Sequence, residues 1–155
     1  MAKTKTKINA TLGDFLFNQI ENDPAYIAWQ ADFTIPEYVT DNLSKTLREY
    51  QVKALKHFIW LYETDRARAK HLLFNMATGT GKTLVMASVV LYLYAQGYRN
   101  FLFLVHQIQI KDQALKNFTD YKFEKYLFNP KGVRINGRNV AVKETKNIAD
   151  ADRNA

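Results

Sequence analysis

The sequence predicts an α/β protein built around a parallel sheet. A short apolar run, HLLFNM (His71 to Met76), passes through the glycine-bearing loop ATGTGKT into the apolar helical stretch LVMASVVLYLYAQ. A second run, NFLFLV (Asn100 to Val105), is apolar without alternation, as a strand covered on both faces is, and leads into a further helical stretch. Two successive strand-then-helix units are joined by right-handed crossovers, which make their strands parallel.

Composition narrows the classes. The chain has 155 residues, 47% of them hydrophobic, enough for one domain with a real core. It has no cysteine, which excludes a disulfide framework and any thiolate metal site and favours a cytoplasmic setting. His57, His71 and His106 are scattered and carry no metal-ligand spacing. The basic start MAKTKTKINA has no apolar stretch behind it and does not read as a signal peptide. The longest near-apolar run, 12 residues from Leu84, is short of the roughly 18 a membrane span needs, so a soluble chain with no membrane partner is expected. A net charge of +7 biases the partner towards a polyanion such as nucleic acid.

The elements follow in order. Residues 1 to 45 read as an amino-terminal extension: an amphipathic piece, LGDFLFNQI, then an aromatic, proline-punctuated stretch whose Trp29, Phe33 and Tyr38 are expected to pack on the following domain. TLREYQVKALKHFIWLYE reads as a helix, with Thr46 and Glu49 as a capping box and Tyr50, Ala54, Phe58 and Leu61 on its apolar face. ETDRARAK is a solvated connection. After the loop, Gly97 stops the apolar helix, and Ser88, Tyr92 and Gln96 form a narrow polar stripe expected to face outward. Ile110, Ala114, Leu115 and Phe118 stripe the helix in QIKDQALKNF. In VRINGRNVAV, Asn136 and Gly137 between two β-prone runs predict a two-residue hairpin turn, and KNIADADRNA is a polar tail. The expected division is an extension over 1–45, an ATP-binding lobe over 46–128, and hairpin and tail over 129–155.

The loop carries the chemistry. MATGTGKT matches the phosphate-loop pattern G-x-x-x-x-G-K-[ST] except at its first position, where Met76 stands for glycine. Thr78, Gly79, Thr80, Gly81, Lys82 and Thr83 are the candidate nucleotide contacts. Backbone N–H groups from Gly79 to Thr83 can wrap a phosphate where the chain turns tightly, and the helix that begins there adds its positive end. Lys82 reaches the β- and γ-phosphates as a point charge, and the Thr83 hydroxyl is positioned to ligate magnesium, so ATP and magnesium are the expected cofactors. A plain strand-to-helix turn explains the glycines but not Lys-Thr opening an apolar helix.

M-A-T-G-T-G-K-T resembles motif I of the superfamily 2 helicases and translocases, whose phosphate loops commonly lack the first glycine. LREYQVKAL, some thirty residues upstream, resembles the L-R-x-Y-Q-x-x-A-L segment of restriction-enzyme motor subunits, and FLFLVHQIQIKDQALKNF is similar to their motif Ia region. KYLFN and the later ING resemble the Res subunit of type III restriction enzymes in particular. The likeness runs from about residue 47 to 145. It implies a partial RecA-like P-loop NTPase lobe, a contact from Gln51 to the adenine, Arg48 close to the nucleotide, and Gln107, Ile108 and Lys111 on a nucleic-acid backbone. Carried over as a whole, it implies an ATP-dependent DNA translocase working beside a modification (methyltransferase) subunit, with DNA bound weakly by this piece alone.

A motor also needs an acid at the end of an apolar strand to hold magnesium and orient water. NFLFLV ends in His106, Asp120 and Glu124 lie in a charged stretch, and Ile148 to Asp152 lacks an apolar run before it. The chain therefore reads as the amino-terminal piece of a longer protein, without catalytic residues, a second motor lobe or a nuclease signature of its own. Two other readings are a stand-alone nucleotide- or nucleic-acid-binding module without hydrolysis, and a small P-loop kinase. The kinase leaves the motif Ia-like stretch unexplained.

Overall fold

The structure is a computed structural model and describes residues 15–65, 69 and 71–145; the polar tail KNIADADRNA and most of the amino-terminal 15 residues lie outside them. The chain divides into two compact units. One holds the described residues through Thr34 together with Lys56–His71, and the other holds Ile35–Leu55 and the chain from Leu72 onward.

The first unit is helical. Helix α1 (Leu16–Glu21) is followed by α2 (Pro24–Asp32), whose start is fixed twice: Pro24 supplies a preset φ at the first helical position, and the Asp23 side chain accepts from the Ala25 N–H at 2.8 Å. The later part of α4 (Glu49–Thr64), from Lys56 on, completes the unit. Its core is aromatic. Trp29 stacks on Phe33 with centroids 4.0 Å apart and lies 5.3 Å from Trp60, while the fully buried Tyr26 meets Trp60 and His57 edge-on. His57 Nε2 and Glu21 Oε1 are 2.5 Å apart, and Lys56 Nζ donates to the Gln30 carbonyl at 3.0 Å. Trp29 thus packs, as expected, on Trp60 of the segment that follows the extension, and Tyr38 belongs to the other unit.

In the second unit, α3 (Glu37–Thr40) lies against α5 (Lys82–Ala95). Two residues of the polar stripe on α5 face inward, contrary to the expectation: Ser88 and Tyr92 are buried and Met86 is exposed, while Gln96, at the helix end, is exposed as expected. Burial costs Ser88 little because its hydroxyl donates to the Leu84 carbonyl one turn back at 2.8 Å. α5 ends as expected at Gly97, with the Gly97 N–H on Tyr94 O and the Tyr98 N–H on Leu93 O, two bonds that satisfy the last carbonyls. On α6 (Ile108–Thr119) Phe118 is buried, whereas Ile110 is exposed and lies off the packed side.

The sheet departs from expectation. Among the described residues the one ladder joins β1 (Val133–Ile135) and β2 (Arg138–Val140), and it is antiparallel, with Val133 opposite Val140 and Ile135 opposite Arg138. Asn136 and Gly137 both have positive φ, 52° and 77°, the turn that an Asn-Gly pair favours between twisted strands. HLLFNM and NFLFLV pair with no described strand, so no parallel sheet is present among the described residues, and Leu73, Leu102 and Leu104 are 90%, 76% and 85% exposed. A strand exists only through its neighbours, and apolar composition without a partner leaves an extended segment. The molecule is therefore a mixed helical protein with a small sheet. An isolated bridge between Leu43 and Phe128, with the Ser44 N–H on Leu127 O, ties the segment after α3 to the approach to β1. Among the described residues no helix is long and apolar enough to cross a membrane.

Candidate functional site

The loop 76–83 closes on itself. Lys82 Nζ donates to the carbonyls of Met76 and Ala77, at 2.9 and 3.0 Å, and the Thr80 hydroxyl donates to Ala77 O at 2.6 Å. Gly81 caps α5 with φ 78°, a left-handed conformation that costs a side-chain-bearing residue about 1–2 kcal/mol. Met76 has no such φ and contributes its carbonyl, so the first position of the pattern has no need of glycine here. Among the described residues, no acceptor meets the N–H groups of Gly79, Gly81, Lys82 or Thr83. Unmatched donors at the positive end of a helix, with a lysine beside them, fit an anionic phosphate chain. Thr83 is half-buried on the first turn of α5, and Thr78 is exposed.

The start of α4 (Glu49–Thr64) is bound to this loop. The helix opens at Glu49, so Thr46 and Glu49 do not form the expected capping box; the Gln51 side chain takes over, its Oε1 accepting from the Arg48 N–H at 2.9 Å. Gln51 Nε2 donates to Thr80 O at 2.9 Å and reaches Gly81 O at 3.4 Å. Gln51 is only 3% exposed, and a Cβ on Gly81 would stand 2.6 Å from its Nε2. Both functions of the amide are thus taken up by the chain. Tyr50 joins it: the phenol donates to the same Thr80 oxygen at 2.9 Å, and Arg48 donates to the phenol oxygen at 3.2 Å. Tyr50 reads in the sequence as one more apolar-face residue. Its polar role depends on where the loop lies, and the only local signal is its place next to Gln51.

The predicted nucleic-acid residues form a separate group on α6 (Ile108–Thr119). Gln107 caps the helix through its backbone, Ile108 is 77% exposed, and Lys111 forms an exposed pair with Glu144 at 3.7 Å. No hydrogen bond joins this group to the loop among the described residues. A cavity of about 470 Å³ in the same unit is lined by Leu43, Leu47 and Val52 with Ser44, Lys45 and Thr46, and no residue of the loop borders it. Among the described residues no cluster of His, Asp or Glu could hold a metal ion by itself.

Comparison with known proteins finds a matching family and a relative. Residues 44–151 match the family model described as the res subunit of type III restriction enzymes. The chain is 44% identical over 107 residues to the probable type III restriction-modification enzyme HindVIP Res subunit of Haemophilus influenzae. That alignment covers 64% of this chain and 21% of the relative, so the chain spans about a fifth of that protein's length. No solved structure matches it.

Proposed function

The chain belongs to the type III restriction enzyme Res-subunit family, and from that premise we propose that residues 76–83 are the phosphate loop of an ATP-dependent motor acting on DNA. One observation carries the reading: unmatched backbone donors at Gly79, Gly81, Lys82 and Thr83 lie beside a lysine at the opening of an apolar helix. In this reading Thr78 to Thr83 hold the phosphates of ATP. Lys82 contributes the charge, exchanging its two loop carbonyls for phosphate oxygens, and the Thr83 hydroxyl supplies one ligand to magnesium. Bound ATP supplies the transferable γ-phosphoryl group whose cleavage drives movement. Arg48 lies at the rim through Tyr50 and adds positive charge on the approach.

Gln107, Ile108 and Lys111 are the proposed contacts to the DNA backbone, with the Lys111 ammonium moving from Glu144 to a phosphate. The relative's name supports a further element: a restriction-modification Res subunit works with a modification subunit, and the same partner is proposed for the longer protein to which this sequence would contribute its ATP-binding part.

Calorimetry with ATP and magnesium tests the reading. Lys82→Ala removes a charge-assisted contact and weakens binding about ten- to hundredfold. Equal binding by the wild type and the variant would sink the phosphate-loop assignment.

A further inference from the structure

Resting on that reading, we infer that Tyr50 and Gln51 are positioning residues that together set the phosphate loop, and that Gln51 does this in place of reading the base. Their two donors converge on one acceptor, the Thr80 carbonyl, each at 2.9 Å. A carbonyl oxygen has two lone pairs, so both are used. In a trans peptide the C=O of one residue and the N–H of the next point in opposite directions. Holding the Thr80 oxygen against α4 therefore turns the Gly81 N–H away from α4, to the side where no described group of the chain meets it. That N–H is one of the donors of the cradle, and the clamp aims it.

The orientation of the Gln51 amide is forced by its neighbours. The Arg48 N–H is a donor and must face Oε1, while the Thr80 carbonyl is an acceptor and must face Nε2. A base edge would have to displace one of these bonds at a side chain already 3% exposed. Releasing Oε1 uncaps α4, and releasing Nε2 frees the loop. Tyr50 is placed to compensate in part, because its hydroxyl shares the Thr80 oxygen. The amide and the phenol are thus a coupled pair: losing one leaves the loop held by the other, and losing both leaves the Thr80–Gly81 peptide free to turn.

Three variants test the pair against three ligands: magnesium with ATP, with GTP and with inorganic tripolyphosphate. Tyr50→Phe removes a single hydroxyl at a 41% exposed position and should leave the unfolding midpoint unchanged. It should weaken all three ligands by the same factor, about three- to tenfold. Gln51→Glu keeps the oxygen that caps Arg48 and removes the donor to Thr80, and it should weaken all three in parallel. The double variant should lose more than the product of the single losses. Heteronuclear NMR supplies a readout that general destabilisation does not move: in wild type the Gly81 amide resonance shifts on adding tripolyphosphate, and in the double variant that shift collapses. The inference is overturned if the Gln51 variant changes the ratio of ATP to GTP while tripolyphosphate binds as in wild type, since Gln51 then reads the base. It also falls if the single variants and the double variant all bind as wild type does while Lys82→Ala does not, and in that case the phosphate-loop reading survives. Wild-type protein that binds none of the three ligands overturns both.

Discussion

Asn42 pairs with Arg134 through both ends of its amide: Nδ2 donates to the Arg134 carbonyl and Oδ1 accepts from the Arg134 N–H, each at 2.8 Å. A side chain here does what a neighbouring strand would do, holding the middle residue of β1 by its main chain. Nδ2 also donates to Tyr38 O at 2.8 Å, so the 5% exposed amide is well satisfied. Asn42→Ala leaves these main-chain groups without their partner and should cost about 2–3 kcal/mol, read as a lower midpoint in urea. Asn42→Asp keeps only the acceptor and should be equally damaging at neutral pH. A shift within error for both would show that the hairpin holds without this link.

Tyr26 predicts an effect of the opposite sign. Its hydroxyl is buried and, among the described residues, has no hydrogen-bond partner. Tyr26→Phe removes an unsatisfied group without changing shape, and should stabilise by about 1 kcal/mol. Burial, and after it the Glu21 carboxylate, pushes the Tyr26 pKa from 10.0 up to about 12. Above pH 10 the unfolded chain gives up a proton that the folded chain keeps. Stability is therefore complete below pH 10 and falls as pH rises towards 12. The variant should show a shallower alkaline limb, with a residual slope from Tyr126, whose pKa burial also raises. An unchanged limb would remove Tyr26 as its source.

The parts legible in the sequence are those fixed by a few neighbouring residues. Asn136-Gly137 dictates its own turn, and Gly97 ends α5 by contacts within one helical turn. The family was legible for the same reason, since its motifs are contiguous strings. What failed depends on groups far along the chain. Ser88 and Tyr92 look like a solvent stripe until α5 is placed, because a hydroxyl can be satisfied by its own helix and go inward. Gln51 and Thr80 are 29 residues apart, and no periodicity links them. HLLFNM and NFLFLV have strand composition, but a ladder needs a second chain segment, and composition cannot supply it.

Those two runs support a third prediction. Leu102 and Leu104 are largely exposed, which favours association through apolar surface. The 155-residue chain should melt broadly and scatter light more as concentration rises. Replacing both leucines with lysine should suppress the scattering without lowering the unfolding midpoint. Association that persists unchanged would point to another surface.

DNA binding by this chain should be weak, tolerant of sequence and steep in salt. The net charge is +7, and Lys111 is exposed beside the Glu144 carboxylate. Fluorescence anisotropy with duplexes of unrelated sequence should give affinities that fall together between 50 and roughly 200 mM salt. Glu144→Gln frees the lysine and should strengthen binding about two- to threefold at low salt. Tight binding to one sequence, unaffected by salt, would contradict this.

Met76 lends the loop a carbonyl oxygen, the acceptor for Lys82. Every amino acid carries that oxygen, so as a letter in a code the position is almost silent. Gly81 is the opposite: a left-handed φ and the amide of Gln51 at 2.6 Å from any added Cβ both weigh against a side chain there. A pattern that weighs both glycines alike counts a letter that this fold does not read. It also misses one that it does, because the partner that crowds Gly81 is written 30 residues upstream, at Gln51.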